Sequence, residues 1–377
     1  MKICKNCIQP DTRPGIFFTD DGLCGACLWE IEKQQIDWEL REKELIDIVK
    51  SSTKNNTSAY DCVIGVSGGK DSTFQAIYAR DMLKLKCLLV NYEPEARTDI
   101  GKKNLENLKQ LGFDVISIRP NPAVMKKLAK YDFFTFCNIV KATEFTLYSS
   151  TYIIAEKFRI PLIIQGENPG LTLGARSSGV GTDGNSLKAN QLDTLSSGWF
   201  EYLKVDGISE NDLFWFHYER EKLEQLGIRG IWLNYYYKNF SQHGNAIFSK
   251  QYGFTWRNNF DPKSIGTYLP YFQLDTDVTQ VNQMLKFFKF GFGQCMDHVC
   301  YDIRENRLSR KEAIELVLEL DGSCSEKYIC DFCNYIEISI EDFWKNIDKF
   351  RGPMWYKENG KWKNAVTEEL KKQLQHF

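Results

Sequence analysis

The residues with the clearest chemistry are Ser67-Gly68-Gly69-Lys70-Asp71-Ser72, placed directly after the apolar run Val63-Ile64-Gly65-Val66. Two glycines let the chain turn tightly with no Cβ in the way. Backbone N–H groups then converge at the start of the helix that follows, where the dipole also favours an anion. Ser67 and Ser72 add hydroxyl donors. The result is an anion cradle sized for a pyrophosphate. It is not G-x-x-x-x-G-K-[ST], because Asp71 follows Lys70, and it is not G-x-G-x-x-G. Without a ligand, the same residues describe a βα turn with Asp71 as helix N-cap.

A second chemistry belongs to sulfur. The chain holds 12 cysteines, and Cys4, Cys7, Cys24 and Cys27 come first. Cys4-Lys5-Asn6-Cys7 and Cys24-Gly25-Ala26-Cys27 are two C-x2-C knuckles, a spacing that lets four thiolates grip one tetrahedral Zn²⁺. A closed site of this kind is structural, and a short loop-rich segment draws its folding energy from the metal. Unliganded thiols and a redox pair are the other readings; a redox C-x-x-C normally opens a helix after a strand. Cys330-Asp331-Phe332-Cys333 repeats the spacing in helical surroundings and reads as two core thiols rather than a second metal site. Cys62, Cys87, Cys137, Cys295, Cys300 and Cys324 read as core residues.

Strands must end at the anion loop and helices must pack behind it. Residues 61–66, 87–92, 115–118 and 161–165 read as strands, and 227–236 as a fifth. Helical spacing marks 73–85, 99–111, 123–130 and 143–158. A charged helix is expected over 29–50 and a polar loop over 51–58. This alternation implies an α/β fold with a parallel, doubly wound sheet. From residue 240 the pattern changes to aromatic loops and then helices at 276–288, 309–320 and 340–350. The expected division is a zinc ribbon over 1–35, an α/β domain over 36–240 and a mostly helical region over 241–377.

Composition narrows the class. Lys plus Arg number 48 against 50 Asp plus Glu, a net charge of −2. A nucleic-acid binder concentrates positive charge, so that partner is disfavoured. With 43% hydrophobic and 26% charged residues the chain is globular rather than disordered. No apolar run approaches the ~18 residues of a membrane helix. The first residues lack the apolar core of a signal peptide. A cytoplasmic protein with no membrane insertion is expected.

The loop SGGKDS after a strand resembles the PP-loop of the ATP pyrophosphatases, which cleave ATP between the α and β phosphates and attach AMP to a substrate oxygen. That resemblance implies a flavodoxin-like parallel sheet, adenine near the end of the second strand at Asn91, and Gly166, Glu167 and Asn168 beside the nucleotide. Over most of its length the chain resembles one branch, the N-acetyl sugar amidotransferases. The motifs are the ribbon with Pro10-Asp11-Thr12-Arg13-Pro14-Gly15 between its knuckles, Thr98-Asp99-Ile100-Gly101 with Asn104, and Ile163-Ile164-Gln165-Gly166-Glu167-Asn168-Pro169. Lys289-Phe290-Gly291-Phe292-Gly293, Asp302-Ile303-Arg304 and Ser309-Arg310-Lys311-Glu312 complete them. Gln294 stands where members often carry Arg, so the sugar itself is left open.

The branch implies ATP-dependent conversion of an acetamido group of a bacterial surface sugar into an acetamidino group. Pseudaminic acid, legionaminic acid and diacetamido uronic acids are such sugars, free or nucleotide-linked. The amide oxygen attacks the α-phosphate, and ammonia displaces AMP from the O-adenylyl intermediate. Ser67, Gly68, Gly69 and Ser72 would hold the pyrophosphate. Lys70 would neutralise charge or point to solvent; Asp71 would hold Mg²⁺ or cap the helix. Glu167 would orient ammonia or take its proton, or be a surface turn carboxylate; Asn168 would touch the nucleotide. The implied cofactors are ATP, Mg²⁺ and Zn²⁺.

No protein nucleophile is needed, and none stands out for glutamine hydrolysis. Cys4 lies in the ribbon, no cysteine sits in G-x-C-x-G, and the histidines are only His217, His243, His298 and His376. A partner glutaminase is therefore expected to supply ammonia. Arg176, Lys188 and Arg257 are candidates for a sugar carboxylate or solvated charges. His243 reads as a loop histidine at the surface. The aromatic stretch 199–260 reads as core or as a sugar pocket. Val278, Val281, Leu285 and Phe288 read as core or partner surface. Two rivals remain: a PP-loop tRNA sulfurtransferase with Cys137 as its thiol, and a non-catalytic zinc ribbon tethered to a nucleotide-sensing domain.

Overall fold

A computed structural model describes residues 1–176, 179–192 and 198–377. Five short strands form one parallel sheet: β1 Cys62–Gly65, β2 Cys87–Tyr92, β3 Asp114–Ile118, β4 Leu162–Gln165 and β5 Arg229–Trp232. Their order is β3-β2-β1-β4-β5. Cys62 pairs with Cys87 on one side and Leu162 on the other. The doubly wound layering is the expected one. Flavodoxin itself orders its strands 2-1-3-4-5; here the reversal falls between β1 and β4.

The helices of the first part are α1 Gly25–Glu32, α2 Trp38–Thr53, α3 Lys70–Asp81, α4 Asp99–Gln110, α5 Pro122–Phe136, α6 Lys141–Phe158, α7 Pro169–Thr172, α8 Arg220–Gln225 and α9 Leu233–Tyr236. Then come α10 Gln242–Gln251, α11 Pro262–Ile265, α12 Val278–Phe290, α13 Gln294–Arg304, α14 Arg310–Leu320, α15 Glu326–Ile336 and α16 Ile340–Phe350. A hairpin of β6 Trp355–Glu358 and β7 Lys361–Asn364 leads into α17 Ala365–Leu374.

Successive strand residues point to opposite faces, and each face has its own core. Val63, Leu88, Val90 and Ile163 pack on α5 and α6 through Leu128, Phe145 and Tyr152. Cys62, Ile64, Leu89 and Ile164 pack on α2, α3 and α4 through Leu45, Phe74, Ile77 and Leu108. Helices α12, α15 and α16 continue the layer beyond α5, where Phe133 stacks on Phe343 at 5.3 Å. Val281 and Leu285 are buried there, so the apolar face of α12 is core.

Several local expectations change. The helix expected over 29–50 is two, because Asp37 caps a new start by accepting from the Leu40 N–H at 3.0 Å. That helix runs on into the first residues of the expected polar loop and ends at Thr53, whose hydroxyl donates back to the Val49 carbonyl. The fifth strand ends at Trp232 and turns into α9. His243 stands in α10 rather than in a loop. Cys333 is buried but Cys330 is exposed, so the two do not share a core.

The ribbon does not stand apart. Its four cysteines share a third core with Phe292, Met296 and Val299 of the α13 region, Ile314 of α14 and Leu370 of α17. Their sulfurs lie within 4.8 Å of one another. Cys4–Cys27 and Cys7–Cys24 are separated by 3.7 and 3.6 Å. A Zn–S bond of about 2.3 Å puts tetrahedral S···S edges near about 3.8 Å, so the cluster is able to bind zinc. The Cys24 N–H donates to Cys4 Sγ at 3.2 Å, and Asn6 Nδ2 to Cys27 Sγ at 3.4 Å, contacts that favour thiolates.

Polar and close backbone contacts also join the ribbon to the rest. A Cβ on Gly174 would fall 2.5 Å from the Ala26 nitrogen, so the second knuckle lies against the chain after α7. Arg310 Nη1 donates to the carbonyls of Cys4, Lys5, Asn6 and Cys7, and Nη2 to Gln373 Oε1 at 2.7 Å. Hydrogen bonds to a charged group are each worth about 1.5–3 kcal/mol, and carbonyls left unmet cost more. Arg310→Ala is expected to lower stability by at least about 2 kcal/mol. A shift of the urea midpoint reads this, together with faster release of zinc to a chromogenic chelator from protein first loaded with Zn²⁺.

Candidate active site

In open α/β sheets ligands bind beyond the carboxyl ends of the strands, where the strand order reverses. Here that crevice lies between β1 and β4. The anion loop leaves β1, and Gly166-Glu167-Asn168 leaves β4, so the topology brings the two expected segments together. Gly68 takes φ +80°, and a Cβ on it would meet Asn104 Cβ and the Leu105 nitrogen at 3.2 Å. The loop therefore needs glycine to lie against α4. The Gly69 N–H donates to Ser67 Oγ at 3.3 Å, and Ser72 Oγ donates to the Gly69 carbonyl at 3.2 Å. Gly69 is the N-cap of α3, which places Asp71 in the first turn and not at the cap.

Lys70 does not point to solvent. It is 4% exposed, with Nζ 2.6 Å from Asp71 Oδ2 and 3.8 Å from the centre of the Phe272 ring. Asp71 Oδ1 accepts from Asn245 Nδ2 at 2.8 Å, and the Lys70 carbonyl accepts from Ser249 Oγ at 2.7 Å. Helix α10 thus clamps the loop from outside the sheet. A buried ion pair is costly to make and costs 3–5 kcal/mol or so to break by removing one partner. The aromatic face adds a cation–π contact.

Glu167 is half-buried and held at both oxygens, by Tyr301 OH and by Gln242 Nε2, each at 2.6 Å. It is not a surface turn carboxylate. Burial raises its proton affinity, and the charge of Asp71 adds to this; Tyr301, Thr172 and Lys70 pull the other way. Asn91 is buried at the end of β2, where Nδ2 donates to the Val66 carbonyl and Oδ1 accepts from Arg97 Nη2, each at 2.6 Å. Its amide is spent tying β2 to the anion loop. Arg97 keeps Nε and Nη1 buried without a partner.

Asn168 departs from its expected contact with the nucleotide. It is wholly buried, donates to the Asp183 carbonyl at 3.0 Å and accepts the Gly170 N–H at 2.8 Å, which caps α7. Gly166 sits under the Gln75 side chain, which a Cβ would strike.

A cavity of about 610 Å³ lies between the α5–α6 junction and helices α12 and α13. Its charged lining is Arg13, Lys141, Lys286 and Lys289 against Glu144 and Asp297. Asp297 accepts from Arg13 and from Lys286, the latter at 2.6 Å. Lys289 donates to the Phe136 carbonyl at 2.6 Å. No residue of the aromatic stretch 199–260 lines it among the described residues. Tyr202, Tyr218 and Trp232 are core, while Phe200 and Phe214 are exposed.

The other candidates separate. Arg176 pairs with Glu32 at 2.6 Å, and Lys188 is exposed. Arg257 donates to the carbonyls of Phe272 and Gln273 at 2.6 and 2.8 Å, so it holds the segment that covers Lys70. Cys137 lines the large cavity, and burial pushes its thiol up to about 12. Phe272, Tyr301, Gln242, Asn245 and Arg97 escaped the sequence reading. Only α10 carried a signal, the capping Ser241 that accepts the Gly244 N–H at 3.0 Å.

Residues 251–370 match a family model described as LPS biosynthesis protein WbpG-like, C-terminal domain. No curated protein matches the chain. Among solved structures, an NMN synthetase from Francisella tularensis is similar at 17% identity and a TM-score of 0.29. An NH3-dependent NAD synthetase from Campylobacter jejuni is similar at 14% and 0.30. Each match covers 60% of this chain and 100% of the other.

His298 backs the site. Its ring stacks on Phe272 at 3.7 Å, and Thr267 Oγ1 lies 2.6 Å from Nδ1. Burial pushes its pKa down to about 3; Lys70 and Lys286 act the same way and Asp297 opposes them. The imidazole is therefore expected to stay neutral, with ring NMR signals constant from pH 8 to about pH 4.5. The unfolded chain binds that proton below its ordinary pKa of about 6.5. This contribution to stability is complete above that pH and is lost as pH falls toward about 3, at about 1.4 kcal/mol per unit.

Proposed function

We propose that the chain is an ATP-dependent amidotransferase that turns an acetamido group of a bacterial surface-glycan sugar into an acetamidino group. One observation carries this reading. The segment that matches the LPS-biosynthesis model supplies Phe272 over Lys70 and Tyr301 on Glu167. A surface-polysaccharide signature and an anion loop thus build one site.

The chemistry follows from the residues. Ser67, Gly68, Gly69 and Ser72 hold the leaving pyrophosphate, and Lys70 answers its charge. Arg97 would offer its unpartnered Nε and Nη1 to the α-phosphate side. The substrate amide oxygen attacks the α-phosphorus, the bond to the bridging oxygen breaks, and pyrophosphate departs. Ammonia then adds to the imidate carbon, and the C–O bond breaks with its electron pair leaving on AMP. The amidine keeps one extra proton as a cation, and the remaining proton leaves on AMP or water. Positioning and charge supply the catalysis, with no protein nucleophile.

Asp71 is a hard oxygen donor at the anion loop, the ligand type Mg²⁺ prefers, and an ion held there would neutralise phosphate charge. Cys4, Cys7, Cys24 and Cys27 would hold a structural Zn²⁺. The large cavity, with four cations against two carboxylates, suits an anionic acetamido sugar such as a uronic acid or a nucleotide-linked sugar. Ammonia would come from a partner glutaminase, and the work would be cytoplasmic, where ATP is available. A near-zero net charge speaks against the tRNA sulfurtransferase reading.

The test is incubation with ATP, Mg²⁺, ammonium and a panel of acetamido sugars, read by mass spectrometry for exchange of O for NH. Sugar-dependent ATP–pyrophosphate exchange is expected alongside. Glu167→Gln should keep the exchange and slow amidine formation by about 10²–10⁴. Exchange with tRNA alone, abolished sulfur transfer in Cys137→Ser, or no exchange at all would overturn the reading.

A further inference from the structure

We infer that Lys289 forms a carboxylate-binding subsite in the large cavity and selects an acetamido sugar by its acid group; this rests on the amidotransferase reading above. The cations expected to do this from the sequence are placed elsewhere. Arg176, Lys188 and Arg257 do not line the cavity. The cavity itself lies where a reacting sugar must sit. Helix α6 runs directly into β4, so its first turn and the α5–α6 junction stand at the carboxyl edge of the sheet. The anion loop and Glu167 leave from that same edge, since β1 and β4 are parallel. Pro169 and Leu173, which follow Glu167 in the chain, line the space. Its volume of about 610 Å³ falls within the range of small-molecule sites, about 300–1,000 Å³.

The charges on the wall divide. Arg13 and Lys286 both pair with Asp297. Lys141 feels the charges of Asp132, Glu201 and Glu144. Lys289 meets no carboxylate among the described residues. Its one hydrogen bond goes to the Phe136 carbonyl, and the side chains in its electrostatic reach are the Cys137 thiol and the like charge of Lys141. Phe136 is the last residue of α5, so the negative pole of that helix supplies roughly half an elementary charge. That is the structural use of Lys289, and it leaves the ammonium partly unanswered. An ammonium has three donors, and the Phe136 carbonyl occupies one. Lys289 is half-buried, and burial weakens its hold on the proton.

A carboxylate supplies what is missing. It brings one negative charge to one ammonium and two oxygens to the donors that remain. The rings of Phe136, Phe290 and Phe350 share the wall, and an ion pair formed against apolar surface is stronger than one in water. A diphosphate carries more charge than this single lysine answers. The assignment also gives a use to Lys289-Phe290-Gly291-Phe292-Gly293. Its lysine reads the acid, and both its phenylalanines line the same cavity.

The experiment uses the full chain with ATP, Mg²⁺ and ammonium chloride, and compares Lys289→Met and Lys289→Arg with the parent. The substrates are an acetamido uronic acid, its primary carboxamide and a nucleotide-linked acetamido hexose that lacks the acid. The parent is expected to favour the acid over the carboxamide by about tenfold or more in kcat/KM, the worth of one hydrogen bond between charged groups. Lys289→Met should erase that preference, raising the KM for the acid about tenfold and leaving the carboxamide within about twofold. Lys289→Arg should restore it. Equal losses on acid and carboxamide in Lys289→Met would leave the lysine only its helix-capping use and sink the inference, as would a parent indifferent to the acid. A loss confined to the nucleotide-linked hexose would assign the lysine to a diphosphate and overturn it too. Calorimetric titration with N-acetylglucosaminuronic acid, against N-acetylglucosamine, needs no turnover. The acid should bind the parent more tightly and lose that advantage in Lys289→Met; equal binding of the two sugars, or binding of neither, counts against the subsite. Absence of sugar-dependent ATP–pyrophosphate exchange in the parent would instead strike the amidotransferase reading, and the titration would still decide whether the acid is bound.

Discussion

A buried ammonium group must be answered, and much of the architecture follows from how Lys70 is answered. Asp71 neutralises it from the next position in the chain, and Phe272 covers it. Neither partner holds its place alone. Asn245 fixes Asp71 from α10, and Arg257 fixes the carbonyls of Phe272 and Gln273. Elements from the C-terminal part are thereby committed to the anion loop. An incoming phosphate would find a charge already desolvated, oriented and aromatic-backed, which is the condition under which electrostatic stabilisation is strongest.

The second carboxylate is organised the same way from the other strand. Glu167 leaves β4, and Tyr301 and Gln242 hold its two oxygens from α13 and α10. Helix α13 also carries Arg304, whose Nη2 donates to the Thr172 carbonyl at 3.3 Å. Gly174 then meets the ribbon at Ala26. The ribbon stands far from the anion loop in function, yet it buttresses the segment that presents Glu167. A metal ion held by its four cysteines would thus help to set the position of a carboxylate it does not touch.

The sheet was legible because its strands are short apolar runs between helices of clear period, and β2 falls where expected. The anion loop was legible because glycine and serine types at that spacing have few other uses. The partners were not. Phe272 lies in an aperiodic stretch with no local signature, and Tyr301 sits just before the Asp302-Ile303-Arg304 motif on a helix the periodicity did not mark. Asn168 misled because a polar residue after a strand serves equally to cap a turn. Side chains that act across hundreds of residues leave no spacing to read. Cys330 and Cys333 show the same limit, since three positions along α15 divide one thiol from solvent and leave the other in it.

The embrace of the first knuckle by Arg310 has a consequence for the order of events in synthesis. The buried apolar neighbours of residues 4–27 in the third core come from 292–370. Chains fold from the N-terminal side as they are made, so here the earliest segment waits for the last helices before its core can close. During that interval four thiols stand unburied, and a metal ion bound by them would keep them from oxidation or mispairing. The ribbon is thus a clasp fastened last, and the contact that fastens it joins the most distant parts of the sequence.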